Sequence, residues 1–526
     1  MSRHSSIEYV IVGAGPAGLQ LGYFFAKHRL DYVILEATEG AGSFFTKFPR
    51  HRRLISINKV HTGRRDPAVQ FRWDWNSLLS DGGSPFKRYS EEYFPPASSM
   101  VDYLQDFASE HQLNVHYGQR VVEISRRGGG FQVKTPSQSF AARYLIVATG
   151  LSEPYVPPIP GIERAARYAD FDADPARYSD RRVLVIGKGN SGFETADSLI
   201  PYAAQIHIVS RHDVTMAWNS HHVGHLRAVN NNLIDTDQLK SQNATIWGEV
   251  LAIEPYRGRH LVRIAHIDSD RRVFTHLYDD IICCTGFRMS RDIFHPPCVP
   301  AMVVDERLPA LTAEWESTNV ENLFFAGTLT QSRDYKRSSS AFIHGFRYNT
   351  QALFRMLALR NGGSWPSREL AKDADSLTNF IAQRVNTTSS LWHQFNFLCD
   401  VIDLGTPTAR CFHDVPVDFA LSSPYFRLAR CLLLTFTHDE PKDPERRRYF
   451  SEVPALHPRV RLVANGEVIA EHHVLEDLEA EWFEESLYLQ PLEAFLAAVL
   501  AEEVAAQPPP VAAAGIPELT RPTARS

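Results

Sequence analysis

Two units of the same pattern stand out along the chain, each an apolar run followed by a glycine turn and a stretch with helical spacing. The first comprises IEYVIV (7–12), the turn GAGPAG, a helical stretch to about His28 and the apolar run DYVILE (31–36). The second comprises VLVIG from Val183, the turn GKGNSG, a helical stretch to about Ile200 and the run QIHIVSR. Short apolar runs bounded by glycine turns predict buried parallel strands, so each unit is expected to fold as strand, helix and strand.

Other segments carry local signals of their own. Helical spacing of apolar residues runs from Ser98, whose hydroxyl can cap a helix, to about His111, and a further helix is expected over Ser338 to Arg360. VVEIS, FQVKT and RYLIVATG are read as short strands. Asn-Gly between alternating apolar residues in RLVANGEVIA (461–470) predicts a hairpin with a type I′ turn. The pattern as a whole is typical of an α/β protein.

Length and charge narrow the class of protein. With 526 residues the chain is expected to hold two or three cores. The formal net charge is -6 and 22% of the residues are charged, so no general surface for nucleic acid is expected. MSRHSS leads directly into the first strand without an apolar leader, and the longest apolar runs are shorter than the ~20 residues that span a bilayer. We expect a cytoplasmic protein that does not enter a membrane.

Cysteine and histidine spacing argues against disulfide and metal chemistry. No cysteine precedes Cys283 and none forms a CxxC pair, whereas flavin-dependent disulfide reductases need a redox-active pair beside the flavin. HHVGH (221–225) places two histidines four residues apart but lacks the glutamate of HExxH. No metal site is expected, and the cysteines are expected to be small buried hydrophobic residues: Cys283, Cys284, Cys298, Cys399, Cys411 and Cys431.

The first glycine turn has the features of a dinucleotide-binding site. Gly13, Gly15 and Gly18 satisfy GxGxxG, which permits a tight turn, close approach of the backbone to a diphosphate and close packing of helix on strand. The helix N-terminus supplies N–H groups and the positive end of a dipole. Glu36 ends the next strand, where a carboxylate can accept hydrogen bonds from both ribose hydroxyls.

The second glycine turn differs at the position of that carboxylate. Gly187, Gly189 and Gly192 repeat the motif, with Asn190 and Ser191 inside it. The offset from Gly13 to Glu36 is 23 positions, and the same offset from Gly187 leads to Ser210, followed by Arg211. A hydroxyl and a guanidinium can bind the 2′-phosphate that a carboxylate would repel, so this turn is expected to bind NADPH. The alternative is that Arg211 is only a solvated residue at the end of a strand.

Together with ATG (148–150), CCTG (283–286) and FFAG (324–327), the two turns resemble the flavin-containing monooxygenases and related class B flavoprotein monooxygenases. A closer similarity is to the FAD-dependent oxidoreductase domain-containing protein 2 group. The stretches that carry it are GSFFTKFPRHRRLISINK, DWNSLL, GNSGFETA, LRAVNNNLIDTDQLKS, SSAFIHGFRYN and HHVLEDLEAEW.

The resemblance implies a fold and a division into domains. The expected fold class is α/β, with two Rossmann-type dinucleotide-binding domains and a C-terminal α+β extension. The expected parts are an FAD-binding domain over 1–165, an inserted NADPH-binding domain over 166–290, a closing part of the FAD domain over 291–362, the extension over 363–505 and a disordered, Pro- and Ala-rich tail over 506–526.

The resemblance also implies roles for single residues. Asn58 matches the asparagine that the monooxygenases place near the reactive edge of the flavin, so it is the catalytic candidate, with a turn asparagine as the alternative. Arg50 lies in the basic run PRHRR, where the family has residues near FAD, although a solvated basic loop explains this run equally well. Further residues expected at the cofactors are Phe45, Lys59, Gly150, Gly286, Gly327, Phe342 and His344.

One part of the family pattern is missing. The monooxygenases carry FxGxxxHxxx(Y/F) just before the second glycine turn, whereas this chain has Tyr168 at the place of the histidine. Oxygen transfer is therefore not implied by that signature. Asp334, in the loop after FFAGT, could recognise an amine, but a salt bridge with a neighbouring Arg or Lys is the simpler expectation.

The expected function is an NADPH-dependent FAD monooxygenase that uses O₂ to oxidise a soft nucleophile of a small molecule. N-hydroxylation or N-oxidation of an amine or amino acid is the leading expectation. One alternative is a flavin NADPH oxidase or oxidoreductase that inserts no oxygen. Another is a flavin-loaded protein that binds a partner through its C-terminal region, and a homodimer is left open.

Overall fold

A computed structural model describes residues 7–239, 242–426, 429–439 and 455–506. The predicted tail over 506–526 lies outside these residues apart from Ala506, which ends the last helix. Within the described residues, no helix combines the length and the hydropathy that crossing a bilayer requires.

The first third of the chain builds the first glycine-turn unit and the strands that extend its sheet. Its strands are β1 (Ile7–Val12), β2 (Tyr32–Leu35), β3 (Val115–His116), β4 (Glu123–Arg127), β5 (Gly130–Lys134), β6 (Ser139–Val147) and β7 (Glu153–Pro154). Its helices are α1 (Pro16–Lys27), α2 (Ser43–Lys47), α3 (Pro67–Gln70) and α4 (Ala97–Glu110).

The middle of the chain builds the second glycine-turn unit. Its strands are β8 (Ala166–Arg167), β9 (Arg182–Ile186), β10 (Gln205–Ser210), β11 (Ala244–Tyr256), β12 (Arg259–His266), β13 (Arg272–Tyr278), β14 (Asp280–Cys283) and β15 (Phe287–Arg288). Its helices are α5 (Asn190–Leu199), α6 (Ala217–Ser220) and α7 (Asn232–Gln238).

The last part of the chain returns to the first sheet and then forms a sheet of its own. Its strands are β16 (Met302–Val303), β17 (Leu308–Pro309), β18 (Leu323–Phe325), β19 (Ser367–Leu370), β20 (Leu398–Asp403), β21 (Ala409–Pro416), β22 (Arg430–Thr437), β23 (His457–Ala464) and β24 (Glu467–His473). Its helices are α8 (Ile343–Arg360), α9 (Ala374–Thr387), α10 (Ser390–His393), α11 (Val417–Ser422) and α12 (Gln490–Ala506).

The described residues form three sheets of six or seven strands and two small two-stranded sheets, β15-β7 and β16-β17, and two of the large sheets contain the predicted units. The first has the order β3-β2-β1-β6-β5-β4, with β18 also pairing with β6, and β1 is parallel to β2, with Val10 opposite Val33. The second has the order β13-β12-β11-β10-β9-β14-β8, and β9 is parallel to β10. The third is antiparallel with the order β19-β21-β20-β22-β23-β24. The predicted fold class, two Rossmann-type units and an α+β extension, is confirmed.

The predicted ends of two helices were wrong. Helix α4 begins at Ala97, and Pro96 occupies the N-cap position, so Ser98 lies inside the helix and does not cap it. Helix α8 begins at Ile343 rather than Ser338 because Phe342 is extended, with φ −128° and ψ 154°. The hydroxyl of Ser338 instead donates to Gln394 at 2.8 Å, which ties this segment to the C-terminal part of the chain.

The predicted hairpin was correct. β23 and β24 are antiparallel, and the two residues between them, Asn465 and Gly466, have φ angles of 51° and 84°. Positive φ at both central residues defines a type I′ turn.

Candidate functional site

The first glycine turn is closed so tightly that two of its glycines tolerate no side chain. Gly13 has φ +108°, and a Cβ placed on it would lie 2.9 Å from the carbonyl oxygen of Ala148. A Cβ on Gly18 would lie 1.9 Å from the carbonyl oxygen of Gly13. A Cβ on Gly15 would meet no atom within 4 Å, because space is left open at the N-terminus of α1.

The second turn repeats this geometry. Gly187 has φ +119° and its Cβ would lie 2.2 Å from the oxygen of Cys284, while a Cβ on Gly192 would lie 2.1 Å from the oxygen of Gly187. Gly189 again faces open space, at the N-terminus of α5. Open space in front of helix N–H groups is what a diphosphate needs, so both turns fit dinucleotides.

Glu36 lies at the end of β2 beside the first turn and is buried. Its carboxylate accepts hydrogen bonds from the main-chain N–H of Ala14 at 2.8 Å and from the hydroxyl of Thr38 at 2.8 Å. These contacts fix the carboxylate next to the open space at Gly15. Its expected contact with a ribose remains a prediction.

A cavity of about 410 Å³ opens from the first turn. Three helical N-termini reach it: Gly15 before α1, Gly327 at the start of a short 3₁₀ helix, and Phe342 before α8. Aromatic side chains form much of its wall, among them Phe45 and Trp75. The cavity therefore combines an apolar wall with the positive ends of three helix dipoles, which favours a flat ring system that carries phosphate and can take up negative charge.

Two polar atoms in residues that line this cavity are buried without a hydrogen-bond partner. They are the hydroxyl of Thr328 and the Nδ1 atom of His344. Buried polar atoms are normally paired, so a bound group with donors and acceptors is expected to satisfy them. The isoalloxazine ring of FAD has both, and the residues present fit it.

His344 is held in the cavity as a neutral ring. It stacks on Trp75 with 4.3 Å between the ring centroids. Burial, with the nearby His393 and Arg347, lowers the pKa of His344 well below its ordinary value. An uncharged imidazole can act as a hydrogen-bond donor or acceptor without adding charge to the cavity.

The structure brings six of the predicted residues to the cavity and leaves others away from it. Asn58 is buried, but its amide donates to the carbonyl oxygens of Ser90 and Glu92, at 2.6 and 3.2 Å, and it does not line the cavity. This geometry gives the catalytic assignment of Asn58 no support and matches a residue that holds a loop. The six predicted residues that line the cavity are Gly15, Phe45, Gly150, Gly327, Phe342 and His344.

Two further predicted cofactor residues, Arg50 of the basic run and Lys59, also lie away from the cavity. Arg50 donates from Nη2 to the carbonyl oxygen of Phe171 at 2.7 Å, and Lys59 is exposed. Neither residue lines the cavity. Gly286 has φ +84° and is followed by Phe287, which does line it.

The second turn is tied to a loop that sequence reasoning did not assign. The side-chain oxygen of Asn190 accepts from the main-chain N–H of Arg227 at 2.9 Å, and its amide donates to the carbonyl oxygen of His225 at 2.7 Å. Arg227 lines the cavity, although it belongs to a polar stretch between β10 and β11. No local pattern could have indicated this, because its cavity neighbour Ile55 is 172 residues away.

Lys188 lies between the first two glycines of the second turn. It is a further candidate ligand of the dinucleotide, and it belongs to the glycine motif itself. Its side chain is only 3% exposed, and its ammonium lies 3.9 Å from Asp213 without a hydrogen bond to any described residue. Burial lowers the pKa of Lys188. Ser210 ends β10 nearby, and Arg211 is exposed and forms no ion pair within the described part of the chain. These three residues are the cationic and hydroxyl groups available for a 2′-phosphate.

Asp334 does not form the expected salt bridge. It is buried, and its Oδ2 accepts from the hydroxyl of Ser340 at 2.7 Å, whereas Oδ1 has no partner. Burial raises the pKa of Asp334 to about 7. Asp334 does not line the cavity, so it is not placed to recognise an amine there.

Histidine and cysteine form no catalytic cluster at the cavity. His221 stacks on His438, and His225 contacts the hydroxyl of Ser220 at 2.6 Å. All six cysteines are free and buried, and none lines the cavity. Among the described residues, Asp400, Cys411 and His413 form a group with metal-ligand spacing, but the carboxylate of Asp400 is already paired with Arg384.

Comparison with known proteins agrees with this geometry. Residues 10–327 match the family model described as pyridine nucleotide-disulphide oxidoreductase. The chain is similar to FAD-dependent oxidoreductase domain-containing protein 2 of Danio rerio, with 34% identity over 94% of this chain and 83% of that protein. The protein of the same name in Mus musculus is 37% identical over 75% of this chain and 64% of its own length.

Solved structures share the fold of the two glycine-turn units. A flavin-containing monooxygenase from Stenotrophomonas maltophilia superposes with a TM-score of 0.52 at 21% sequence identity. The superposition covers 68% of this chain and 99% of that one.

Proposed function

The chain belongs to the pyridine nucleotide-disulphide oxidoreductase family and to the FAD-dependent oxidoreductase domain-containing protein 2 group, and on this premise we propose that it is an NADPH-dependent FAD monooxygenase of small molecules. The observation that carries the proposal is the cavity at the first glycine turn, which is walled by aromatic residues and contains no cysteine. An enzyme that reduces disulfides through its own thiols would need a cysteine there. An apolar cavity instead suits oxygen transfer, which requires that water be kept out.

FAD would lie between the first glycine turn and the N-terminus of α8. The diphosphate would meet the open space at Gly15, Glu36 would receive the ribose, and Thr328 and His344 would pair with the ring. When bound, FAD supplies hydride acceptance from NADPH and the activation of O₂.

The chain's own groups would control the environment of the ring. Trp75 and Phe45 line the cavity with apolar surface and would keep water from the bound ring. The N-termini at Gly327 and Phe342 place positive partial charge toward the cavity, which stabilises negative charge that develops on a reduced ring. His344, held neutral by burial, can donate or accept one hydrogen bond at a fixed position.

NADPH would bind at the second turn. Its diphosphate would meet the open space at Gly189, and Lys188, Ser210 and Arg211 would hold the 2′-phosphate. The acceptor of oxygen would be a soft nucleophile, and N-hydroxylation or N-oxidation of an amine or amino acid remains the expected chemistry.

The test is oxygen incorporation by the FAD-loaded protein. Amino acids, amines and thioethers would be offered with NADPH under ¹⁸O₂, while NADPH consumption, hydrogen peroxide and product mass are measured together. Transfer of one ¹⁸O atom to a product is the expected result. Peroxide equal to the NADPH consumed with every compound, and no labelled product, would refute oxygen insertion.

The second candidate is a flavin oxidoreductase that passes electrons and releases peroxide. The observation that favours it is Tyr168 at the place of the monooxygenase histidine. The same ¹⁸O₂ experiment separates the two functions, because only the monooxygenase labels a product.

A further inference from the structure

Arg227 is held at the junction of the two glycine-turn units with its charge facing the cavity. Its main-chain N–H donates to Asn190, beside the second turn, at 2.9 Å. Its Nη1 donates to the carbonyl oxygen of Ile55, in the loop of the first unit, at 3.0 Å. The guanidinium lies over Trp75, 5.3 Å from the ring centroid. The side chain thus reaches from the second turn to the aromatic wall of the cavity.

The guanidinium has no carboxylate partner within the described part of the chain. Among the described residues, the carbonyl of Ile55 is the only acceptor of a hydrogen bond from its five N–H groups. The side chain is partly buried, and burial lowers the pKa of Arg227. None of its unpaired nitrogens is fully shielded from water, so a bound anion would replace water as the partner of the remaining donors in charge-assisted hydrogen bonds.

Within the described part of the chain, the cavity wall contains one charged side chain, that of Arg227. Among the described residues that line the cavity, none is Asp or Glu and no other is Arg or Lys. His344 is neutral. The walls near Arg227 are apolar, with Trp75 and Phe342. The cavity therefore matches a molecule with an apolar body and one negative group.

We propose that Arg227 binds the carboxylate of the substrate, so that the enzyme takes an apolar amino acid or a related carboxylic acid rather than a simple amine. This inference rests on the proposed function, in which the cavity holds both the flavin and the substrate. Guanidinium and carboxylate form paired, charge-assisted hydrogen bonds, which would also fix the orientation of the substrate.

The apolar walls have a consequence for an amino acid's nitrogen. Burial in the cavity would disfavour the charged form, so the amino group would lose its proton more readily. A neutral amine has the free electron pair that oxygen transfer needs. Arg227 would therefore bind the carboxylate, and the apolar walls would favour the reactive form of the nitrogen.

The test is equilibrium binding to the full-length, FAD-loaded protein, followed through the absorption spectrum of the flavin without NADPH. Phenylalanine, phenylacetate and 2-phenylethylamine share a ring and differ in which charge they carry, and leucine and isoamylamine form an aliphatic pair. Each acid is expected to bind at least tenfold more tightly than the matching amine. Arg227→Gln is expected to lower the affinity for the acids at least tenfold, and Arg227→Lys less, because lysine keeps the charge and loses the paired geometry.

A matched variant and a second ligand separate the alternatives. Arg291→Gln removes an arginine paired with Glu306 outside the cavity and is expected to leave all affinities unchanged. The affinity for NADP⁺, titrated in parallel, is expected to change less than threefold in Arg227→Gln. A large loss of NADP⁺ affinity with unchanged binding of acids would show that Arg227 serves the dinucleotide diphosphate instead.

Two further results would overturn the proposal. One is tighter binding of the amines than of the acids. The other is the absence of a spectral change with every acid in the series. The binding assay involves no oxygen transfer, so acid binding that depends on Arg227 can be seen even if the ¹⁸O₂ experiment gives no labelled product. Carboxylate binding by Arg227 and monooxygenase function can therefore be refuted independently.

Discussion

The hydroxyl oxygen of Tyr168 accepts a hydrogen bond from the main-chain N–H of Arg50 at 3.2 Å. Tyr168 precedes the second turn, whereas Arg50 lies in the loop of the first unit, and Ser191 of the second turn adjoins the same hydroxyl. The ring of Tyr168 also packs parallel to Phe48, with 5.9 Å between centroids. Tyr168 does not line the cavity. Tyr168, which stands in the place of the monooxygenase histidine, therefore joins the two units and does not line the cavity.

Tyr168→Phe removes this hydroxyl and keeps the ring. We expect a loss of about 1 kcal/mol in the free energy of unfolding, because one hydrogen bond to a main-chain N–H disappears. The ratio of oxygenated product to hydrogen peroxide should not change. Thermal unfolding and peroxide assays measure the two effects. A shift of that ratio toward peroxide would mean that Tyr168 takes part in the oxygen step.

Gly15→Ala and Gly18→Ala should fail in different ways. The Cβ at Gly15 meets no atom, so the fold should survive, but the methyl group enters the space assigned to the diphosphate and FAD affinity should fall at least tenfold. The Cβ at Gly18 would lie 1.9 Å from a carbonyl oxygen, which should cost about 3 kcal/mol of stability in the FAD-free protein. FAD retention and thermal unfolding of the FAD-free protein distinguish the two. Equal loss of stability in both would contradict the open-space argument.

Lys188→Met and Arg211→Gln should each weaken NADPH binding and spare NADH. A hydrogen bond to a charged group contributes about 1.5–3 kcal/mol, so a loss of about 10–100-fold in affinity is expected. Burial lowers the pKa of Lys188, so NADPH affinity of the parent protein should fall as pH rises and the ammonium loses its proton. Lys188→Met should lack this decline. Equal losses of affinity for NADPH and NADH would show that neither residue binds the 2′-phosphate.

Asp334→Asn should change how stability depends on pH. Burial raises the pKa of Asp334 from 3.8 to about 7, so the folded state binds its proton more tightly than the unfolded state. Stability from this group is present at low pH and is lost as the pH rises from about 4 to 7, by about 2–4 kcal/mol. The stability of Asp334→Asn relative to the parent should therefore rise over about pH 4–7 and level off above it in denaturant titrations. A constant difference would rule out titration of Asp334 in this range.

Asp400→Asn should destabilise the C-terminal sheet. Burial opposes the charge of Asp400, but Arg384 and His413 outweigh it and hold the pKa of this carboxyl below its ordinary value. The stability it contributes is present above the ordinary pKa of Asp and is lost as pH falls below it. Arg384 would keep its ion pair with Asp414 at 2.7 Å, so loss of the Asp400 charge and its hydrogen bonds should cost about 2–3 kcal/mol at neutral pH, measured by urea unfolding. The exposed pair of Arg333 and Asp418 provides the control, because Asp418→Asn should cost less than about 1 kcal/mol.

Where the sequence predicted structure well, the signal was local. The strand, turn and helix of each unit, and the Asn465-Gly466 hairpin, follow from backbone conformations that a few neighbouring residues fix by themselves. The start of α8 was missed because Phe342 is extended, and the segment before it is tied through the hydroxyl of Ser338 to Gln394 in a distant part of the chain. Local spacing carries no information about such a partner.

The fold class, the two dinucleotide turns and the exchange of Glu36 for Ser210 and Arg211 at equal offsets follow from local sequence patterns. Long-range packing sets what faces the cavity: the amide of Asn58 bonds to loop carbonyls, Tyr168 lies between the units and Arg227 lies beside Ile55. Glycine turns are set by contacts between neighbours, whereas the cavity wall comes from loops that sheet packing brings together. Its charge could therefore be known only after the chain had folded.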